Sequence, residues 1–382
     1  MQRSGAIDGL RGLAAVAVIY YHAILTDTSL IQRVLYPSIF AVHGTSDILA
    51  KVVLTLVNGQ SAVILFFALS GFVLNRSLMR AATRFSLPVV AMDFVWKRVW
   101  RIMPALFVTI AFCFLISRSW ITLNLPGSDL WHFQSAANLH KAVENAFLLK
   151  ISMHGASWTL QAEMLVVPFI FVAFLLGRFI GVAGLTVSLV YGFFALSTPA
   201  LAFDLPNIPG TLAAFMAGML VADDRLISAL RMPPHHLIFL GVSFVFLRIL
   251  ADQGAIATTL GQSLLAAILV GATYASDIEG DNLWLLNSKH VRALGRISYS
   301  LYLLNVPFLW IMQAISPSLG LQSWGPLVYG LITGTVATVA TVPLAIWSER
   351  WVEMPAVSLG NRMLSKFTSR SRQRPMEQTA NF

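Results

Sequence analysis

One cysteine, Cys113, occurs in 382 residues, so no disulfide can form within the chain and no thiolate cluster can hold a metal. Charge is scarce as well. Only 11% of the residues are Asp, Glu, Lys or Arg while 57% are hydrophobic, a balance outside the range of soluble domains. Acidic residues are the scarcer charge, 17 against 26 Lys and Arg. The chain also lacks a periodic repeat, a glycine-rich nucleotide fingerprint, a phosphate-loop motif and an appended soluble domain. What is left is a chain whose chemistry belongs at a membrane.

Apolar stretches long enough to span fall near 9–26, 57–78, 104–121, 158–177, 179–197, 207–222, 236–252, 256–275, 293–315 and 326–348. They predict an all-α polytopic membrane protein with about ten transmembrane helices. Cations set its orientation. Arg76, Arg80, Arg84, Lys97, Arg98 and Arg101 lie between the second and third stretches, and Arg178, Arg225, Arg231, Lys289, Arg292 and Arg296 fall in later loops of the same parity. Arg350, Arg362, Lys366, Arg370, Arg372 and Arg374 follow the last stretch, whereas the alternate loops carry only Arg33, Lys51, Arg118, Lys141 and Lys150, with Arg248 close by. The positive-inside rule then places both termini in the cytoplasm. The formal charge of +9 is accounted for by a basic inner surface against anionic lipid, and nucleic-acid binding is not supported. Arg3 before an alanine-rich run resembles the start of a secretory signal, but Asp8 and Arg11 interrupt the run and it reads as an uncleaved first span. The Asn75-Arg76-Ser77 sequon faces the cytoplasm in this topology and carries no weight. One membrane domain is expected over 1–355, followed by a basic, flexible cytoplasmic tail over 356–382.

The first span carries Arg11 and His22. Eleven helical positions return the second side chain to within roughly 20° of the first, about 16 Å further along the axis. An arginine inside a bilayer costs about 2.5–3.5 kcal/mol on insertion scales. Both residues should therefore face a protein interior or wet cavity, marking two depths of one site.

Four other polar groupings each have a structural and a functional reading. Lys97, Arg98 and Arg101 precede the third span with Trp96 and Trp100, as interfacial anchors or as a socket for a polyanion such as a pyrophosphate. Glu163, in the segment that also carries Trp158, sits inside the fourth span. It needs a partner, which is a structural ion pair with Arg11 or another cation, or else a histidine or sugar hydroxyl that it orients. Ser298, Tyr299, Ser300, Tyr302 and Asn305 lie on the helix around 294–307, where hydroxyls and amides more often satisfy neighbouring helices than ligands. Glu349 and Glu353 end the last span and face the inner arginines.

Six segments in this order resemble the acyltransferase-3 family of integral membrane acyltransferases: DGLRGLAAVAVIYYHA at 8–23, FFALSGFVL at 66–74, KRVWRIMP at 97–104, WTLQAE at 158–163, LGRISYSLYLLNVP at 294–307 and ERWVEMP at 349–355. The resemblance implies transfer of an acyl group, usually acetyl, from cytoplasmic acyl-coenzyme A to a hydroxyl of a carbohydrate-type acceptor, such as an exopolysaccharide, O-antigen or lipid-linked glycan. The setting it implies is a bacterial inner membrane. It makes Arg11 and His22 the functional pair with Glu163 beside them, associates Lys97, Arg98 and Arg101 with the donor, and raises the socket reading above the anchor. Trp158, Tyr299, Tyr302 and Asn305 become candidates for substrate contact. No permanently bound cofactor and no metal are expected, since acyl-coenzyme A is the donor co-substrate. His22 is then a general base or a transient acyl carrier, and Arg11 a phosphate or carbonyl ligand. Two departures limit the parallel. Asn305 stands where family members commonly carry a histidine, and Met164 follows Glu163 where many have a second glutamate. With no SGNH-type domain attached, the chain either completes the transfer or hands the acyl group to a separate periplasmic partner. The rival class is a transporter or flippase for an anionic or lipid-linked sugar, which would use the same buried polar groups without chemistry. The paired, Gly/Pro-interrupted half-helices typical of that class are not found.

Overall fold

The computed structural model describes residues 4–251 and 255–377, with side chains described as far as Ser365. Arg3, the side chains of Lys366, Arg370, Arg372 and Arg374, and the last residue of the 236–252 stretch lie outside the described residues. Within them all regular structure is helical and no strand occurs. Helix α1 (Gly5–Ile24) starts where Ser4 Oγ accepts the Ile7 N–H at 3.2 Å, satisfying one of the free amides of the first turn. After a looped segment come α2 (Thr45–Leu56) and α3 (Gly59–Ala82), the latter capped by Asn58 Oδ1 on the Ser61 amide at 2.8 Å. Helix α4 (Leu87–Thr122) is 36 residues long. The short helices α5 (Trp131–Ala136) and α6 (Leu139–Ala146) lead to α7 (Trp158–Leu165) and α8 (Val167–Ile180). Gly181, at φ 65°, turns the chain into α9 (Val182–Ser197), a conformation open to glycine at little cost. There follow α10 (Pro209–Leu220), α11 (Asp224–Ala229), α12 (Pro234–Phe246), α13 (Ile256–Ile278), α14 (Lys289–Arg296), α15 (Ser298–Ile315), α16 (Pro326–Ser348) and α17 (Met354–Glu377).

Each of the ten apolar stretches falls largely on helix. Six helical segments are long and apolar enough to cross a membrane: Gly5–Ile24, Thr45–Ala82, Leu87–Thr122, Gly155–Ile180, Ile256–Ile278 and Pro326–Ser365. Three more apolar helices, Val182–Ser197, Pro209–Leu220 and Pro234–Ile249, are shorter. Prolines and Gly181 cut them off. At 12 residues α10 is only about 18 Å long, well short of the ~30 Å hydrocarbon layer. Its residues from Thr211 to Met219 are all buried, so it serves as a core helix enclosed by others. The segment beyond 355 is helical as far as Glu377, and its first part lies against α4, where Trp96 Nε1 donates to the Gly360 carbonyl at 2.9 Å.

Small residues let the backbones that carry the site approach closely, as is usual between membrane helices. A Cβ on Gly71 of α3 would lie 2.1 Å from the Phe215 carbonyl oxygen of α10, and one on Gly218 would lie 2.0 Å from that of Ala68. In the same way α14 presses on α1, since a Cβ on Gly295 would lie 1.8 Å from the Asp8 carbonyl oxygen. The start of α1 is pinned from a third direction by Asp277 at the end of α13. It accepts from Ser4 Oγ at 2.6 Å, the Ala6 amide at 3.3 Å and Asn287 Nδ2 at 2.7 Å. Arg11 is thus carried on a helix whose first turns are fixed by both packing and hydrogen bonds.

Candidate active site

A cavity of about 560 Å³ lies among α1, α3, α4, α7 and α15. Ile7, Asp8 and Arg11 line it from α1, and Arg98, Arg101 and Ile102 from α4. Thr159 and Glu163 contribute from α7, Ser298, Tyr299 and Tyr302 from α15, and α3 lines it from Val63 to Arg80. Those 17 steps along α3 correspond to about 26 Å, so the cavity is a passage. Its basic end is Arg80, Arg98 and Arg101, and its far end is apolar, with Val63, Phe66 and Phe67. A second cavity of about 340 Å³ shares Leu74, Arg98 and Arg101 with the first and is otherwise bordered by Asp93, Lys97, Trp100 and the 357–361 part of α17.

The expected basic socket is divided by its partners. Arg98, with a side chain only 7% exposed, donates through Nη2 to Glu163 Oε2 at 3.0 Å and to the Glu163 carbonyl at 2.9 Å. Its Nε is buried with no hydrogen-bond partner. The structural partner of Glu163 is therefore Arg98. Arg101 is 45% exposed. It rests 5.7 Å over the Tyr299 ring and stands 3.5 Å from the fully buried Glu353, the pairing foreseen for that glutamate. Lys97 turns to Asp93 at 2.8 Å and borders only the smaller cavity. Lys97 and Arg101 are about equally exposed, 47% and 45%, but of the two only Arg101 lines the larger cavity.

Tyr299 and Tyr302 both line the larger cavity, each with its hydroxyl engaged. Tyr299 donates to the Ile102 carbonyl at 2.7 Å, and Tyr302 to that of Ala156 at 3.1 Å while accepting from Thr159 at 3.2 Å. Trp158 packs edge-on against Phe67 at 6.0 Å and is not among the lining residues. Asn305 is buried and spends its amide on the carbonyls of Leu301 and Tyr302, at 3.0 and 2.6 Å. Trp158 thus packs against α3 and Asn305 bonds back onto its own helix, whereas the tyrosines face the passage.

His22 lies two residues from the end of α1, exposed, with its ring edge-on to Tyr21 at 5.7 Å. It is not part of the cavity lining, though Arg11, about 16 Å back along the same helix, is. Near it is a histidine that sequence reasoning passed over. His154 is fully buried, and its Nε2 donates to the Leu303 carbonyl at 2.9 Å while Nδ1 faces Ser157 Oγ at 2.9 Å. Asn145 Nδ2 donates to the same hydroxyl at 2.9 Å. Burial pushes the His154 pKa down to about 4, against the pull of the Leu303 hydrogen bond, and charge on His22 lowers it further. The two histidines are therefore within electrostatic reach. The signal in the sequence was the pair His154 and Ser157, three positions apart in the short stretch directly before WTLQAE. No group of three or more His, Cys, Asp or Glu side chains converges among the described residues as a metal site would require.

The family model described as an acyltransferase domain matches residues 4–346, nearly all of the helical bundle. No curated protein and no solved structure matches the chain.

Proposed function

Because the chain belongs to the acyltransferase-3 family and is an integral membrane protein, we propose that it moves an acyl group, acetyl in the simplest case, from acyl-coenzyme A to a hydroxyl of a carbohydrate-type acceptor across a bacterial inner membrane. One observation carries this reading: the passage that runs about 26 Å from a mouth of arginines to an apolar end at Val63 and Phe67. A donor with a polyphosphate head and a long, thin, weakly polar arm has that distribution of chemistry. The head pairs with Arg101 and Arg80, by the charge-assisted bonds that favour arginine for phosphate, and the arm follows α3 inward past Arg11.

The separation of Arg11 from His22 favours distinct roles for the two. A general base must stand within about 3 Å of the hydroxyl it deprotonates, so with Arg11 about 16 Å away the two cannot act on one reacting carbonyl. Arg11 positions the donor arm, and His22 serves the reacting end. There the His22 imidazole takes the proton of the acceptor hydroxyl, the oxygen adds to the thioester carbonyl, the C–S bond breaks, and the departing thiolate takes up the proton. An acyl-histidine intermediate splits the same transfer into two steps of identical overall balance. Arg98 and Glu163 form the wall that keeps the passage open. A separate periplasmic partner that receives the acyl group is consistent with the exposure of His22.

The test is thiol release from acetyl-coenzyme A by the purified protein in liposomes. The wild type is expected to liberate free coenzyme A, and His22→Ala is expected to abolish release while leaving the melting profile unchanged. Undiminished release by a well-folded His22→Ala protein overturns the mechanism.

A further inference from the structure

The smaller cavity, of about 340 Å³, has no part in the reaction proposed above, yet it shares Leu74, Arg98 and Arg101 with the passage. The two cavities are neighbours across one wall. Its volume falls at the small end of the ~300–1,000 Å³ range of small-molecule sites, which suits one ring system with its sugar. The lining is chemically mixed. Leu78 of α3, Phe94 of α4 and Val357 of α17 make part of it apolar, and Trp100 adds an indole. Asn361 of α17 supplies an amide, which carries donors and an acceptor side by side. Lys97 is 47% exposed, and its ammonium meets Asp93 at 2.8 Å. Apolar and aromatic walls favour a flat ring, an amide favours a base edge, and cations favour phosphate. A nucleotide joins all three.

Packing fixes the α17 side of this cavity. Trp96 Nε1 holds the Gly360 carbonyl at 2.9 Å, and a Cβ on Gly360 would lie 2.6 Å from the Trp100 ring. Glycine at this position lets α17 come close to α4. Val357 and Asn361, four positions apart and so on one face of the helix, are thereby set against the basic segment. Just before α17 the buried Glu353 accepts from Ser300 Oγ and stands 3.5 Å from Arg101. The segment is thus tied to the arginine mouth as well as to the two tryptophans. The family match ends at residue 346, so the wall that α17 supplies lies outside the matched residues.

We propose that the smaller cavity is the nucleoside subsite of the donor. The adenine of coenzyme A lies beside Trp100 with its edge on the Asn361 amide, the 3′-phosphate meets Lys97, and the diphosphate passes Arg101 into the larger passage. This rests on the acyl-transfer reading above and deepens it, because it makes the nucleotide a recognised part of the donor. Free coenzyme A thioesters are then preferred over thioesters on a carrier protein, which present only the phosphopantetheine arm.

The experiment separates the nucleoside from the rest of the donor. Full-length protein in a neutral detergent is titrated by calorimetry with adenosine 3′,5′-bisphosphate, inosine 3′,5′-bisphosphate and inorganic pyrophosphate. The adenosine probe is expected to bind about tenfold or more tightly than pyrophosphate. It should also bind more tightly than the inosine probe, because an asparagine amide matches the N6/N7 edge of adenine. Asn361→Ala, at an exposed position, is expected to abolish the preference for adenosine over inosine. Trp100→Leu should weaken both nucleotides and leave pyrophosphate as it was. In turnover, the wild-type KM for S-acetyl-4′-phosphopantetheine should exceed that for acetyl-coenzyme A about tenfold, and Asn361→Ala should narrow the gap. Adenosine bisphosphate that binds no more tightly than pyrophosphate overturns the proposal, and so does a nucleotide preference that Asn361→Ala leaves intact. Tighter binding of dihexanoyl phosphatidylglycerol than of either nucleotide makes the cavity a lipid-headgroup site and also overturns it. Failure of the acyl-transfer reading shows separately, as absence of thiol release from both thioesters while the nucleotide preference stands.

Discussion

Deleting either half of the Arg98–Glu163 pair should not cost the same. The Arg98 side chain is 7% exposed and that of Glu163 is 24% exposed, and the two meet at 3.0 Å. Removing one partner of a buried ion pair typically costs about 3–5 kcal/mol, because the survivor is left as an unpaired charge. In Glu163→Ala the survivor is the more deeply buried arginine, which keeps only a backbone carbonyl at 2.9 Å and already has an unpartnered Nε. A loss of about 3 kcal/mol is expected. In Arg98→Ala the survivor is a carboxylate that borders the cavity and can be hydrated there, so a loss of about 1–2 kcal/mol is expected, part of it lost packing of the arginine stem. The double variant should be no worse than Glu163→Ala alone, giving a coupling of about 1–2 kcal/mol. Equilibrium unfolding of the four proteins in mixed micelles of increasing denaturing-detergent fraction measures all three differences. Losses that add to within about 0.3 kcal/mol, or a larger loss for Arg98→Ala than for Glu163→Ala, would refute the argument that the pair is a buried and mutually dependent structural unit.

Arg101, the exposed cation of the expected socket that lines the larger cavity, is predicted to bind donor phosphate. Arg101→Ala should raise the KM for acyl-coenzyme A about tenfold with kcat little changed, and an unaltered donor KM removes Arg101 from the donor site. His154 has a folded pKa lowered to about 4 against an ordinary value near 6.5. The unfolded chain therefore binds the extra proton first, so this histidine's contribution is complete above about pH 6.5 and is lost as pH falls toward 4. Unfolding measured across that window should show a steeper acid loss in the wild type than in His154→Gln, and parallel profiles would contradict it. Sidedness is tested with single cysteines in a Cys113→Ala background: Thr83→Cys should be protected from an impermeant thiol reagent in intact cells, and Asp129→Cys should be labelled. Both positions are exposed, whereas Ser135, in the same loop region as Asp129, is buried on the Ser152 carbonyl at 2.8 Å. Reversed labelling places the arginine mouth on the wrong side for a cytoplasmic donor.

The all-helical architecture and the placement of Arg11 and His22 on one helix were legible because both are local. Apolar runs and a spacing of eleven residues on one helix need no knowledge of what packs where. The partner of Glu163 was not legible. Arg98 lies 65 positions away in sequence, and several cations were equally available on charge alone. Tyr299 and Asn305 show the same limit on one helix, since both are polar at plausible depths, yet one faces the cavity and the other hydrogen-bonds its own backbone. His154 was missed because its neighbours Asn145, Ser157 and Leu303 come from three segments. The short α10 was read as a candidate span because composition cannot tell an apolar helix surrounded by protein from one surrounded by lipid.

Helix α4 has 36 residues and is therefore about 54 Å long, nearly twice the ~30 Å thickness of a hydrocarbon layer. If the apolar run from Pro104 onward fills that layer, the preceding length must stand clear of it, and Arg98 and Arg101 sit just where the helix passes from water into lipid. A highly charged donor docked there never has to dehydrate its phosphates. Only the thin acylated end of the molecule enters the low-dielectric interior, so the membrane acts as a filter on which part of the donor is admitted. On the function proposed above, the overlong helix would separate, by depth alone, the place where the donor is recognised from the place where its acyl group is given up.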